Sequence, residues 1–199
     1  MHHQRMAIEN NPIQRFNRLF EQIRNEDQPE STAMVLATAT PAGRPAARVV
    51  LLKACDERGF VFYTNLHSRK GRELEENPFA ALCFYWQPIA TQVRVEGRIE
   101  RVTESEADVY FASRPRGSQL GAWASRQSEV LPTREELLTN FEKYKKEFEG
   151  QEVPRPDFWS GYRLVPAVIE FWHGLENRLH ERYEYRRTGN EWQVILLNP

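Results

Sequence analysis

The chain has 199 residues, 28% of them charged and 40% hydrophobic, with a formal net charge of −1. That length can bury one good-sized core, and the near-neutral balance excludes a global basic field for nucleic acid, so any cationic site must be local. There is no apolar run near the roughly 20 residues of a membrane span and no apolar signal-peptide core in MHHQRMAIENNP, and Cys55 and Cys83 lack CxxC spacing. A single-domain cytoplasmic protein with reduced thiols in or near strands is expected.

In chain order, residues 1–11 are polar and expected to be loose. From Pro12, apolar residues at Ile13, Phe16, Leu19, Phe20 and Ile23 have helical spacing, with proline at the first position. A polar linker, Asn25 to Ser31, leads to a strand at Ala33–Thr38 and a turn at Pro41-Ala42-Gly43. The stretch Arg48 to Gly71, RVVLLKACDERGFVFYTNLHSRKG, then organises the rest. A strand, Arg48–Lys53, sets four apolar residues (Val49, Val50, Leu51, Leu52) between two cations. A turn at Cys55–Gly59 leads to a second strand, Phe60–Thr64, and a further turn enters a helix over Arg69–Glu76. Ser68 is a good N-cap, and a helix N-terminus bearing Arg69 and Lys70 suits a phosphate. The residues alone leave open a solvated basic turn. Asn77-Pro78 ends that helix.

Phe79–Trp86 is a nearly continuous apolar strand, which predicts cover on both faces. Thr91–Glu100 alternates and predicts a half-exposed strand. Capping boxes at Thr103–Glu106 and Thr133–Glu136 open two helices, the first carrying Tyr110 and Phe111 and ended by Ser113–Ser118, the second running to about Glu149. After the proline-rich Val153–Pro156, strands are expected at Tyr162–Trp172, Arg182–Arg187 and Trp192–Leu197. These antiparallel strands with flanking helices give a mainly β protein, a barrel or sandwich.

No GxGxxG, GxxxxGK[ST], HExxH or GxSxG occurs, and the five histidines lack metal-ligand company, so no metal is expected. Two clusters carry chemistry. Tyr110 and Arg114 are four apart, on one face if helical, and with Ser118 and Gln119 they form a donor set for a phosphate monoester or an ordinary helix end. Arg178, His180 and Arg182 fall on one side if extended. With Trp172 they could hold a flat anionic ring or be a solvated strand edge.

RVVLLK at Arg48–Lys53, FYTN-L-x-SRKG at Phe62–Gly71, QVRVEG at Gln92–Gly97, YFASRPRGSQLGAWASRQS at Tyr110–Ser128, and IEFWHG with NRLHER at Ile169–Arg182 together resemble the pyridoxine/pyridoxamine 5'-phosphate oxidase family. The likeness covers roughly residues 12–199. It implies an FMN-binding split β-barrel and a homodimer with FMN between subunits. Arg48, Tyr63, Thr64, Ser68, Arg69, Lys70 and Gln92, with the Val49–Lys53 run, would hold FMN from one subunit. Gln127, Ser128, Trp172 and Arg182 would contribute from the other. Lys53, Tyr110, Arg114 and Ser118 would grip the substrate phosphate, with Arg178 and His180 against its ring.

The implied reaction is oxidation of pyridoxamine or pyridoxine 5'-phosphate by dioxygen to pyridoxal 5'-phosphate and hydrogen peroxide, with the flavin carrying the redox step. The pattern departs from the family in two places. No Arg-x-x-Tyr segment precedes the first helix, and Leu175 stands where many members have a smaller residue. Two other readings remain: a related oxidase of another aromatic metabolite, such as the phenazine-pathway relatives, and a non-catalytic flavin- or pyridoxal-phosphate-binding protein.

Overall fold

The computed structural model describes residues 9–26 and 30–199. The expectation of a loose N-terminus lies outside the described residues for 1–8, and that of a polar linker does so for 27–29. Residues 9–11 are docked rather than loose. Asn11 Oδ1 accepts the backbone N–H of Ile13 at 2.8 Å and of Gln14 at 3.2 Å, capping helix α1 (Pro12–Arg24), and Glu9 pairs with Arg18. The periodic residues of α1 bury Ile13, Phe16, Leu19 and Ile23.

Among the described residues nine strands form one antiparallel sheet: β1 (Ala33–Ala39), β2 (Pro45–Leu51), β3 (Ala54–Asp56), β4 (Gly59–Asn65), β5 (Phe79–Trp86), β6 (Thr91–Arg101), β7 (Trp159–His173), β8 (Glu181–Thr188) and β9 (Glu191–Leu197). The order is β2-β1-β5-β6-β7-β4-β3. β7 divides the sheet. Its first half, Trp159–Leu164, pairs with β4, and its second half, Val168–His173, pairs with β8, which pairs with β9. The strand added to the eight read from the sequence is β3, where residues 54–56 pair separately with β4.

The inner face packs beneath α1, where the Phe16 ring lies 4.9 Å from Phe60, 5.1 Å from Phe84 and 5.5 Å from Trp86. The expectation that β5 is covered on both faces is overturned. Ala80, Leu82, Phe84 and Trp86 are buried, while Phe79 is 61% and Tyr85 57% exposed. α1 covers the inner face only, and the outer face of β5 stays open within the chain.

Helix α2 (Arg69–Glu76) follows β4, and α3 (Glu104–Ser113) opens on the expected Thr103/Glu106 capping box. α3 does not run through Arg114; a separate helix, α4 (Arg116–Ala124), begins behind Pro115. α5 (Arg134–Glu147) is capped by Thr133, which accepts the Glu136 N–H. None of the described helices is long and apolar enough to cross a membrane.

Candidate active site

Because the sheet curls, edge strand β2 approaches β4 across a gap, and a cleft of about 510 Å³ opens there. Arg48 to Leu51 and Lys53 form one wall, and Tyr63, Thr64 and Asn65 the other. Lys70, Tyr110, Arg114, Ser125, Gln127 and Trp159 complete it. A second cleft of about 370 Å³ shares Arg48, Lys70 and Gln127 and adds Arg69 and Ser128.

The shared end is cationic. Ser68 Oγ accepts the Gly71 N–H at 3.3 Å, which fixes the start of α2 and sets Arg69 and Lys70 in its first turn. Glycine is required at position 71, where a Cβ would meet the Leu66 carbonyl oxygen at 2.0 Å. The buried Lys70 ammonium donates to Thr64 Oγ1 at 3.2 Å, Ser68 Oγ at 3.3 Å and Gln127 Oε1 at 3.2 Å. Thr64 Oγ1 also donates to Gln127 at 3.1 Å. Burial pulls the Lys70 pKa down, and the positive charge of Arg48 adds to the effect. The Arg48 guanidinium donates to Thr38 Oγ1 at 2.6 Å and to Glu73 at 3.1 Å, and Arg69 donates to Glu73 at 2.8 Å. Burial alone would raise the Glu73 pKa, but hydrogen bonds from Thr38, Arg69 and Arg48 outweigh it and hold the carboxyl low.

Farther along the cleft stand three near-parallel rings. Tyr63 lies 4.0 Å from Tyr110 and 5.4 Å from Trp159. Gly161 makes room for them, since a Cβ there would come within 2.7 Å of the Tyr63 ring. The Arg114 guanidinium sits 4.6 Å over Trp159. Its Nη1 is buried with no hydrogen-bond partner among the described residues, and burial lowers its pKa. The premise that Tyr110 and Arg114 share a helical face is corrected. Arg114 is the extended C-cap of α3, because Pro115 disfavours a helical residue before it, yet both side chains line the cleft. Ser118 is exposed in the first turn of α4, away from the cleft lining.

Gln92, Trp172 and Arg182 do not line the cleft. They form one cross-strand row with Tyr85 on the outer face of the sheet. Glu170 is buried beside them, accepting from Arg94 at 2.6 Å and Arg182 at 3.0 Å. The subunit division implied by the resemblance set Gln92 with the cleft and Gln127 and Ser128 with Trp172 and Arg182. Within this chain Gln127 bonds to cleft residues, and Gln92 pairs with Trp172.

The expectation of an extended 178–182 is also corrected. β7 and β8 are in register to His173↔Glu181, so residues 174–180 must turn the chain back. Asn177 and Arg178 take left-handed φ values of 57° and 61° to do so. His180 still packs on Trp172 at 4.6 Å, and its Nδ1 accepts the Leu175 N–H at 3.1 Å.

Sequence reasoning missed Glu73, Asn65, Ser125 and Trp159. The spacing of Arg69 and Glu73, four apart on a helix, was the one available signal, for Glu73. The donor set fits a flavin phosphate: an arginine, a lysine and two hydroxyls converge at a helix N-terminus, and Arg114 keeps an unpartnered buried donor for a second anion.

Residues 20–147 match the family described as Pyridoxamine 5'-phosphate oxidase, and residues 159–199 the Pyridoxine 5'-phosphate oxidase C-terminal dimerisation region. A Myxococcus xanthus (strain DK1622) protein named pyridoxine/pyridoxamine 5'-phosphate oxidase is 57% identical over 195 residues, 98% of this chain and 95% of that protein. A Rubrobacter xylanophilus protein of the same name is 58% identical over 188 residues, covering 94% and 87%. The crystal structure of PhzG from Burkholderia lata 383, in complex with tetrahydrophenazine-1-carboxylic acid, superposes with a TM-score of 0.93 at 34% identity, covering 100% and 98%. An FMN binding protein of Nostoc punctiforme shares the fold, with a TM-score of 0.76 at 17% identity over 96% of this chain and all of that one. The chain, a split-barrel protein with a C-terminal dimerisation region, belongs to the pyridoxamine 5'-phosphate oxidase family.

Proposed function

We propose that this protein is a pyridoxine/pyridoxamine 5'-phosphate oxidase that works as a cytoplasmic homodimer with FMN. The observation that carries the reading is the β2/β4 cleft, which has cationic donors at two places: Arg48, Arg69 and Lys70 at one end, Lys53 and Arg114 farther along. FMN would supply two-electron redox chemistry, with dioxygen as final acceptor and hydrogen peroxide as product. Arg48, Thr64, Ser68, Arg69, Lys70, Gln127 and Ser128 hold the flavin phosphate end. Lys53, Tyr110 and Arg114 hold the substrate phosphate, and Ser118, exposed on α4 outside the cleft lining, is left out of that set.

The outer-face set, Gln92, Trp172, Arg178, His180 and Arg182, completes the site of a second copy. Arg178 and His180 orient the substrate ring, a proximity effect. His180 accepts at Nδ1, so its proton rests on Nε2, where it can donate to a ring substituent. Both cysteines are free, in keeping with a reducing compartment.

A second reading, oxidation of a non-phosphorylated aromatic metabolite, draws on the likeness to the phenazine-bound PhzG. Lys53 and Arg114 favour the phosphorylated substrate. The test is to purify the protein yellow and add pyridoxamine phosphate anaerobically. Bleaching, then peroxide release on readmitting air, is expected. Failure to bleach with either vitamer phosphate would overturn the proposal.

A further inference from the structure

Arg48 and Arg69 both rest on one carboxylate. We propose that Glu73 is a positioning residue for the flavin phosphate, holding these two arginines in the place where the phosphate is received. The inference rests on reading this end of the cleft as the FMN phosphate site.

Glu73 is buried, and both its oxygens are engaged. Oε1 accepts from Arg69 Nε at 2.8 Å. Oε2 accepts from Arg48 Nη2 at 3.1 Å and from Thr38 Oγ1 at 2.5 Å. Thr38 Oγ1 in turn accepts from Arg48 Nη1 at 2.6 Å, so the hydroxyl closes a ring between guanidinium and carboxylate.

On charge alone a carboxylate here is counterproductive, because it repels the anion that the site would bind. Its geometry supplies the reason for it. Arg69 is exposed at the surface, and without an anchor its long side chain would sample many rotamers. Arg48 leaves the edge strand with its Nη1 on the Leu36 and Ala46 carbonyls at 3.3 and 3.4 Å, and Glu73 fixes the other arm of its fork, Nη2. The carboxylate also trims three adjacent cations, Arg48, Arg69 and Lys70, to two net charges, matching the roughly −1.5 to −2 of a phosphate monoester near neutrality.

Charge and positioning therefore predict opposite signs for Glu73→Gln. If Glu73 acted only through charge, its removal would tighten FMN. If it positions the arginines, FMN weakens although the site is more positive. The experiment titrates the full-length protein, freed of flavin by dialysis, with FMN and with riboflavin, following flavin fluorescence. Glu73→Gln should weaken FMN by about tenfold or more, the scale of one lost charge-assisted contact, while riboflavin changes by less than about twofold. Glu73→Asp should recover part of the loss, and Thr38→Val, which leaves every charge in place, should shift FMN in the same direction by less.

Unchanged or tighter FMN binding by Glu73→Gln overturns the inference. Equal loss of FMN and riboflavin in both Glu73 variants also overturns it, marking Glu73 as a prop of the fold. If the wild-type protein binds riboflavin as well as FMN, the phosphate reading itself falls and takes the inference with it, a failure told apart because no variant is involved.

Discussion

Replacing Arg114 with methionine separates fold from function. In the chain by itself this arginine is poorly satisfied: its Nη1 is buried without a hydrogen-bond partner among the described residues, and burial lowers its pKa. An unpaired buried donor costs about 1–3 kcal/mol. The guanidinium over Trp159, at 4.6 Å, returns about 0.5–2 kcal/mol as a cation–π contact. Methionine keeps most of the stem packing and removes both effects. The balance runs from about 1 kcal/mol of loss to about 2.5 kcal/mol of gain, so the ligand-free melting temperature should lie between a fall of about 2–4 °C and a rise of about 5–10 °C. On the proposed assignment the substrate phosphate, in contrast, loses a charge-assisted partner worth about 1.5–3 kcal/mol, which should lower kcat/KM roughly tenfold to hundredfold. Thermal melts of the dialysed protein and steady-state kinetics with pyridoxamine phosphate measure the two quantities. A fall of roughly 6 °C or more in Tm together with unchanged kcat/KM would refute the reasoning, because Arg114 would then be a structural support.

Lys53→Met should lower kcat/KM for pyridoxamine phosphate but cost little with pyridoxamine, whereas the Arg178→Met penalty, also about tenfold to hundredfold, should persist with both; kinetics with the two substrates and flavin content decide it. Phe79→Glu with Tyr85→Glu places charge on the exposed outer face and should raise the dimer dissociation constant at least about tenfold, read by light scattering on dilution. Glu73, Asp56 and Glu106 are each held below their ordinary carboxylate pKa. Groups with depressed folded values stabilise fully above the unfolded pKa and lose that contribution as pH falls through the folded one. Denaturant midpoints should therefore be flat above about pH 5 and drop below it, and Glu73→Gln should flatten the acid limb.

Local chemistry was legible wherever it depended on neighbours in sequence. The α1 period, the Ser68 and Thr103 caps, and the stop at Asn77-Pro78 all appear at their expected places, because caps and proline act over one turn. What depended on distant chain was not legible. An apolar strand reads the same whether its second face is covered by its own chain or by another, which is why Phe79 and Tyr85 read as covered although both are exposed within the chain. Alternation across Arg178, His180 and Arg182 presupposes a strand, and only the β7–β8 register shows that residues 174–180 form the turn. Trp159 belongs to the site through stacking on Tyr63 and Tyr110, residues 96 and 49 positions away, and no spacing rule connects them.

The placement of the two residue sets bears on assembly. One register row runs Tyr85, Gln92, Trp172, Arg182 across β5, β6, β7 and β8. Its apolar end is exposed, and Phe79 and the 64%-exposed Val49 continue that face. The same surface therefore carries both the uncovered apolar side chains and the set assigned to cofactor and substrate ring, while the cationic donors lie in the β2/β4 cleft. On the proposed assignment, a second copy that buries the apolar end would bring its own Trp172/Arg182 row to the neighbouring cleft in the same step. Association and flavin binding then share one equilibrium, since a ligand held by both copies stabilises only the dimer. Added FMN should lower the concentration at which the dimer dissociates, and dilution should release flavin and subunits together. Flavin retained by a monomer at full occupancy would show that the cleft is complete in one chain and that the outer-face row has another role.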